Sequence, residues 1–186
     1  MFFLILLAYK FTNCIQLNCL KYMNGIYIIT GGNVGRRSDY LREAASRIED
    51  RCGNIVASSS VYESAAWGKT DQASFLNQVL EIESFMKPLE LLRACLDIEK
   101  TMGRVRNIKW DSRIIDIDIL FYGQEIVIED SLIIPHPHLH ARRFALLPML
   151  ELVPYFYHPV IEKTIETLAL ECQDELDVKL WDGMEG

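Results

Sequence analysis

The chain has 186 residues, half of them apolar and 24% charged, so it can bury a sizeable core and wholesale disorder is excluded. A net charge of −7, from 19 basic and 26 acidic residues, argues against a protein that coats nucleic acid, although a local arginine cluster can still oppose that sign. No apolar run approaches the ~18 residues of a spanning helix, and five cysteines without a CxxC pair argue against a disulfide framework or a zinc ribbon and point to a reducing, cytoplasmic setting.

Residues 1–22 carry a short apolar run, Phe2–Ala8, without the basic start, longer apolar stretch or cleavage site of a secretory signal. The domain is expected to begin near Met23, with residues 1–22 as an extension outside the fold. A weak export or anchoring signal and a packed element are the alternatives. Ile26–Thr30 reads as a strand, ended by the turn chemistry of Gly31-Gly32-Asn33-Val34-Gly35. Ser38 is placed to cap a helix reaching about Cys52, with Leu41, Ala44, Ala45 and Ile48 on one face and Gly53 as its stop. Ile55–Tyr62 reads as a strand, Glu63–Ser74 as a loop and Phe75–Phe85 as another strand. Pro88 suits the first turn of a helix over 88–102 that Gly103 ends. After a basic, irregular stretch, Ile114–Tyr122 predicts a strand with Glu125–Ile128 as its hairpin partner. Asp130–Arg142 reads as a Pro/His-rich loop, and Phe144–Leu152 and Ile161–Leu170 as helices. The order predicts an α+β, ferredoxin-like βαββαβ sandwich with a C-terminal helical extension over 23–174, followed by a tail at 175–186.

Asp116 and Asp118 carry the clearest chemistry. At i and i+2 on a strand they point to one face about 7 Å apart, while Ile115, Ile117 and Ile119 line the other. Two like charges held so close call for a cation, and hard oxygen donors suit Mg²⁺, above all when substrate phosphates complete its shell. An ordinary alternating surface strand is the competing reading of this short motif. Just upstream stand Arg104, Arg106 and Arg113 with Trp110. Guanidinium forks match phosphate oxygens, and a solvated loop is the alternative. Arginines beside a carboxylate pair are what polyphosphate chemistry needs. The alternating His136, His138 and His140 invite a zinc reading. With no cysteine near and prolines between them, phosphate contacts by His136 and Arg142 are favoured instead. His158 reads as structural. The glycine-rich turn at 31–35 lacks the lysine and spacing of a phosphate loop, Gly68-Lys69-Thr70 has Glu63 where a first glycine belongs, and GxGxxG is absent.

Taken in order, Gly31-Gly32-Asn33, Tyr62-Glu63-Ser64 with Trp67-Gly68, Phe75-Leu76-Asn77, Glu99 with Gly103-Arg104-Val105-Arg106, Trp110, Arg113 to Ile119, and Pro135-His136-Pro137 with Arg142 and Phe144 resemble 6-hydroxymethyl-7,8-dihydropterin pyrophosphokinases of folate biosynthesis, from about Ile26 to Pro154. The resemblance implies transfer of the β,γ-diphosphate of ATP to the pterin hydroxymethyl group, with release of AMP. It implies two Mg²⁺ held by Asp116 and Asp118, with Arg104, Arg113 and the two aspartates as catalytic residues. Glu99, Arg106, Trp110, Arg113, Ile119, His136 and Arg142 would meet ATP. Ser64, Ala65, Trp67, Phe75, Asn77 and Phe144 would hold the pterin. A monomer with no nucleic-acid partner and no stable membrane association is expected. The chain departs from some members at Leu96, Ser131, Ile133 and His138, and is one residue shorter between Arg106 and Trp110. Two other readings are a non-catalytic binding module of the same fold and another Mg²⁺/ATP transferase with a different flat acceptor.

Overall fold

Every residue of β1 (Ile26–Gly32) is buried, as an apolar run covered on both faces should be. The computed structural model describes residues 25–66, 73–104 and 113–184. After β1 come α1 (Arg37–Arg51), β2 (Asn54–Ser58), β3 (Tyr62–Ser64), β4 (Phe75–Glu83), α2 (Pro88–Thr101), β5 (Asp116–Tyr122), β6 (Val127–Glu129), β7 (Leu132–Ile134), a 3-10 turn (Leu139–Ala141), α3 (Arg143–Leu152), α4 (Ile165–Glu171) and β8 (Val178–Leu180). The main sheet runs β5-β1-β4-β3-β8, with β2 also on β4, and all these neighbours are antiparallel.

The period-2 alternation of β1 divides the interior into two cores. Ile26 and Ile28 pack with Leu41, Ala44 and Ile48 of α1 and Leu91, Cys95 and Ile98 of α2. Tyr27 and Ile29 join Leu146 and Met149 of α3, Phe156, and Leu168 of α4 on the opposite face. The rings of Phe121 and Phe156 meet there tilted by 52°, with centres 4.6 Å apart. The mixed helix–sheet architecture expected from the sequence is present, with two helices on each face among the described residues.

Several local readings are corrected. The first helix begins at Arg37, one residue before the expected cap Ser38, with Arg36 at the cap position and no side-chain cap bond. It stops where expected: at Gly53, φ +146°, a Cβ would lie 2.1 Å from the Glu83 carbonyl oxygen. The strand expected over Ile55–Tyr62 is two strands. Ser59 interrupts it, its hydroxyl accepting from Val79 N (3.0 Å) and donating to Ser60 O (2.7 Å). Glu63 and Ser64, read as loop, belong to β3. β6 pairs with β7, not with β5, across the tight turn at Asp130-Ser131, and the hairpin buries Leu132 and Ile134 against the α1/α2 core. Composition hid β7 inside a Pro/His-rich segment. The last helix starts at Ile165, where the Thr164 hydroxyl accepts from Thr167 N (3.2 Å). Beyond 174, β8 pairs with β3 and widens the sheet.

Candidate active site

Asp116 and Asp118 do share one face of β5. Opposite them across the ladder stand Gly31 and Ile29 of β1. Both carboxylates line an open cleft of about 810 Å³, together with Arg113, His136, Arg142, Ser64, Ala65, Phe75, Asn77 and Phe144. Ile117 and Ile119 turn the other way, into the core beneath α1 and α2.

The two carboxylates have different surroundings. Asp116 bonds to Arg104 and to Arg113. Burial would raise its pKa, yet the charges of Arg113 and Arg104 hold it below the usual carboxylate range. Arg104 also grips Glu99, whose Oε1 accepts from Ile117 N at 2.8 Å. That contact docks the C-terminal end of α2 on β5. Among the described residues Asp118 makes no side-chain hydrogen bond or ion pair, and only the more distant charges of Arg142 and Arg104 favour its ionised form. Burial, then the negative charges of Asp116 and Glu99, push its carboxyl up to about 7. One carboxylate is therefore satisfied by arginines, and its neighbour retains an unmet preference for a cation. This is an observation that fits a divalent ion with hard oxygen donors. Among the described residues no cluster of three or more His, Cys, Asp or Glu side chains could hold a metal by itself.

His136 is held by its backbone, N to Leu120 O at 2.9 Å. Burial, then the nearby Arg142 charge, lower its pKa to about 4, so the ring is neutral at pH 7. Its Nδ1 accepts from His138 N at 3.3 Å, which leaves the proton on Nε2 as a donor. Arg142 enters just before α3, its guanidinium 5.7 Å from the Phe144 ring centre. The zinc reading of His136, His138 and His140 finds no metal-holding group among the described residues. His158 is buried against Phe121, its Nδ1 accepting from Val160 N and Ile161 N at 3.2 Å, a structural role.

At the other end of the cleft, Asn77 Nδ2 donates to the Ser64 hydroxyl at 3.0 Å, both side chains buried. Phe75 starts β4, paired with Ser64, and Phe144 opens α3, so two different elements present rings to one slot. Glu99 and Ile119 lie behind the cleft wall, 2% and 4% exposed. Trp67, Arg106 and Trp110 lie outside the described residues. Sequence reasoning missed the support under the slot. Arg37, 8% exposed, donates to Glu63 Oε1 (2.9 Å) and to Ser74 O (3.0 Å) and its hydroxyl (2.8 Å). No local pattern marks an arginine in a helix's first turn as buried.

A family model for 7,8-dihydro-6-hydroxymethylpterin-pyrophosphokinase matches residues 27–154. The chain is 40% identical over 149 residues to the 2-amino-4-hydroxy-6-hydroxymethyldihydropteridine pyrophosphokinase of Aquifex aeolicus, covering 80% of this chain and 92% of that one. It is 37% identical over 166 residues to the enzyme of the same name from Bacillus subtilis, covering 88% and 95%. Its fold is similar to that of a crystal structure of Plasmodium falciparum HPPK-DHPS (TM-score 0.63, 19% identity, 80% of this chain and 43% of that one). The chain belongs to the 7,8-dihydro-6-hydroxymethylpterin-pyrophosphokinase family.

Proposed function

We propose that this protein transfers the β,γ-diphosphate of ATP to the hydroxymethyl oxygen of 6-hydroxymethyl-7,8-dihydropterin in folate biosynthesis. The bond from the acceptor oxygen to the β-phosphorus forms, the bond from that phosphorus to the AMP oxygen breaks, and the hydroxyl proton is lost. The observation that carries this reading is one cleft with a carboxylate pair and arginines at one end and two rings flanking a buried amide at the other.

Asp116 and Asp118 are the residues that would hold magnesium, as two ions with ATP. When bound, magnesium supplies charge neutralisation to the polyphosphate and acidity to the acceptor alcohol. Arg113 and Arg142, with neutral His136 as a donor, orient the phosphates, and Arg104 keeps Asp116 ionised and in place. Glu99 acts from behind as the anchor of Arg104 and β5, and family resemblance assigns Ile119 to the nucleotide. Phe75 and Phe144 sandwich the pterin while Asn77, Ser64 and Ala65 meet its edge, because a flat heterocycle binds well between rings and an amide reads donor and acceptor together. Family resemblance assigns Arg106 and Trp110 to the nucleotide and Trp67 to the pterin.

The ferredoxin-like reading is supported by the order β5-β1-β4, with β2 and β3 both on the far side of β4. The catalytic unit spans about 23–174 after an extension of residues 1–22, and 175–186 adds β8 to its edge. It works as a cytoplasmic monomer without nucleic acid, in keeping with its acidic balance and with the free thiols of Cys52, Cys95 and Cys172. The test is nucleotide product analysis with ATP, Mg²⁺ and the hydroxymethyl pterin. AMP in step with pterin consumption is expected, and ADP as the sole product would overturn the reading.

A further inference from the structure

The turn Gly31-Gly32-Asn33 is not a phosphate loop, and the reaction above leaves it without a task. Its position is unusual. Gly31 pairs with Asn77 of β4 on one side and with Asp116 of β5 on the other, so the end of β1 lies between the acceptor and phosphate halves of the cleft. Pairing to β5 ends there, yet the strands remain close: a Cβ on Gly32 would sit 2.2 Å from the Ile114 carbonyl oxygen. Asn33, 4% exposed, then joins both sides. Its backbone N donates to Arg113 O (3.0 Å), and its Oδ1 accepts from Arg113 N (2.8 Å). Its Nδ2 donates to Ala73 O (3.2 Å). Arg113 reaches Asp116, and two residues after Ala73 comes Phe75.

We infer that Asn33 is a positioning residue for diphosphate transfer: its one amide fixes the separation between the Arg113–Asp116 end of the cleft and the Phe75–Asn77 end. Its side chain is not among those that line the cleft. It acts by holding two backbone points that carry the two half-sites, and this rests on the function proposed above. A donor and an acceptor on one short side chain are needed, which Asn supplies. Transfer depends on the distance between two bound partners far more than either binding event does, so loosening this tie should slow the chemical step selectively.

The test uses the full chain and its Asn33→Ala and Asn33→Asp variants. Folding is followed by circular dichroism and thermal midpoint. Binding of a non-hydrolysable ATP analogue with Mg²⁺, and separately of the pterin, is titrated, and single-turnover AMP formation is timed. Misplacement of reacting groups by about 1 Å costs on the order of a hundredfold, so Asn33→Ala should lose about 30–100-fold in single-turnover rate while each binary affinity stays within about threefold. Asn33→Asp keeps the acceptor for Arg113 N and loses the donor to Ala73 O, so its rate should fall between the two. A folded Asn33→Ala with a rate within about threefold of wild type overturns the inference, as does a rate loss matched by equal losses in both affinities, the mark of general loosening. If Asn33→Ala does not fold, Asn33→Asp is judged against the same criteria. A wild-type protein that forms no AMP would defeat the proposed function and this inference together, whereas an active wild type with unaffected variants defeats the inference alone.

Discussion

The two faces of β5 solve opposite problems with one alternating sequence. Ile117 and Ile119 enter a dry core of isoleucines, leucines and Cys95, where stability comes from apolar area removed from water. Asp116 and Asp118, one residue away in each case, stand in a cleft where partly buried charges face each other. The core face is satisfied as built. The cleft face is satisfied only at Asp116, where Arg104 and Arg113 answer the charge, and Asp118 is left with a raised pKa. The contrast teaches that one strand can carry a fully compensated face and an incompletely compensated one. A strand face built for stability alone would not keep two aspartates with too few partners.

The largest expected effect breaks the cleft face and spares the core. Asp116→Ala or Asp118→Ala should lower AMP formation by at least about a thousandfold in a steady-state assay, with the circular dichroism spectrum retained, and EDTA should do the same reversibly to wild type. Next comes the link between the two faces. Arg104→Ala removes one of the two arginines that answer Asp116 and breaks the ion pair of Glu99, itself 2% exposed, and should cost about 3 kcal/mol of stability by urea unfolding. Ile48→Ala, in the core beneath β1, should cost about 2–5 kcal/mol with turnover per folded molecule unchanged.

A smaller effect is pH-dependent. Burial, with the nearby His140 charge, lowers the His158 pKa from 6.5 to about 4. The unfolded chain then binds the extra proton across that window, so this contribution to stability is full above about pH 6.5 and falls by about 3 kcal/mol as pH drops toward 4. NMR titration of the His158 ring, with urea midpoints against pH, checks it. The smallest effect has the opposite sign. Ionised Asp118 costs stability that appears as pH rises from 3.8 to about 7, so in metal-free buffer at neutral pH Asp118→Asn should stabilise. Allowing for solvent screening, the gain is about 1 kcal/mol, or about 2–4 °C in thermal midpoint. An unchanged midpoint would mean that Asp118 is already compensated.

Much of this was legible in the chain because it depends on local periodicity. The alternation over Ile114–Phe121 separates the carboxylates from the isoleucines whatever else the fold does, and Leu41, Ala44 and Ile48 mark the buried stripe of α1 in the same way. The split at Ser59 was not legible, because it depends on a hydroxyl meeting Val79, 20 residues away. The β6–β7 hairpin was obscured by prolines and histidines whose composition suggested a loop. Arg37 was unreadable as a support, since its partners Glu63 and Ser74 come from β3 and from the residue before β4.

Residue order alone determined α1, α2 and α3 with β1, β4 and β5, the shared face of Asp116 and Asp118, the basic character of the segment before them, and the family resemblance, because each is a pattern within a short window. Tertiary structure alone decided which arginines answer Asp116, that burial raises the pKa of Asp118, that Phe75 and Phe144 share a slot, that β8 closes on β3, and that Asn33 joins Arg113 to Ala73. Those outcomes depend on register and packing between residues far apart in the chain. Side-chain direction is a local property of the backbone, whereas the partner it meets is set by how the elements pack.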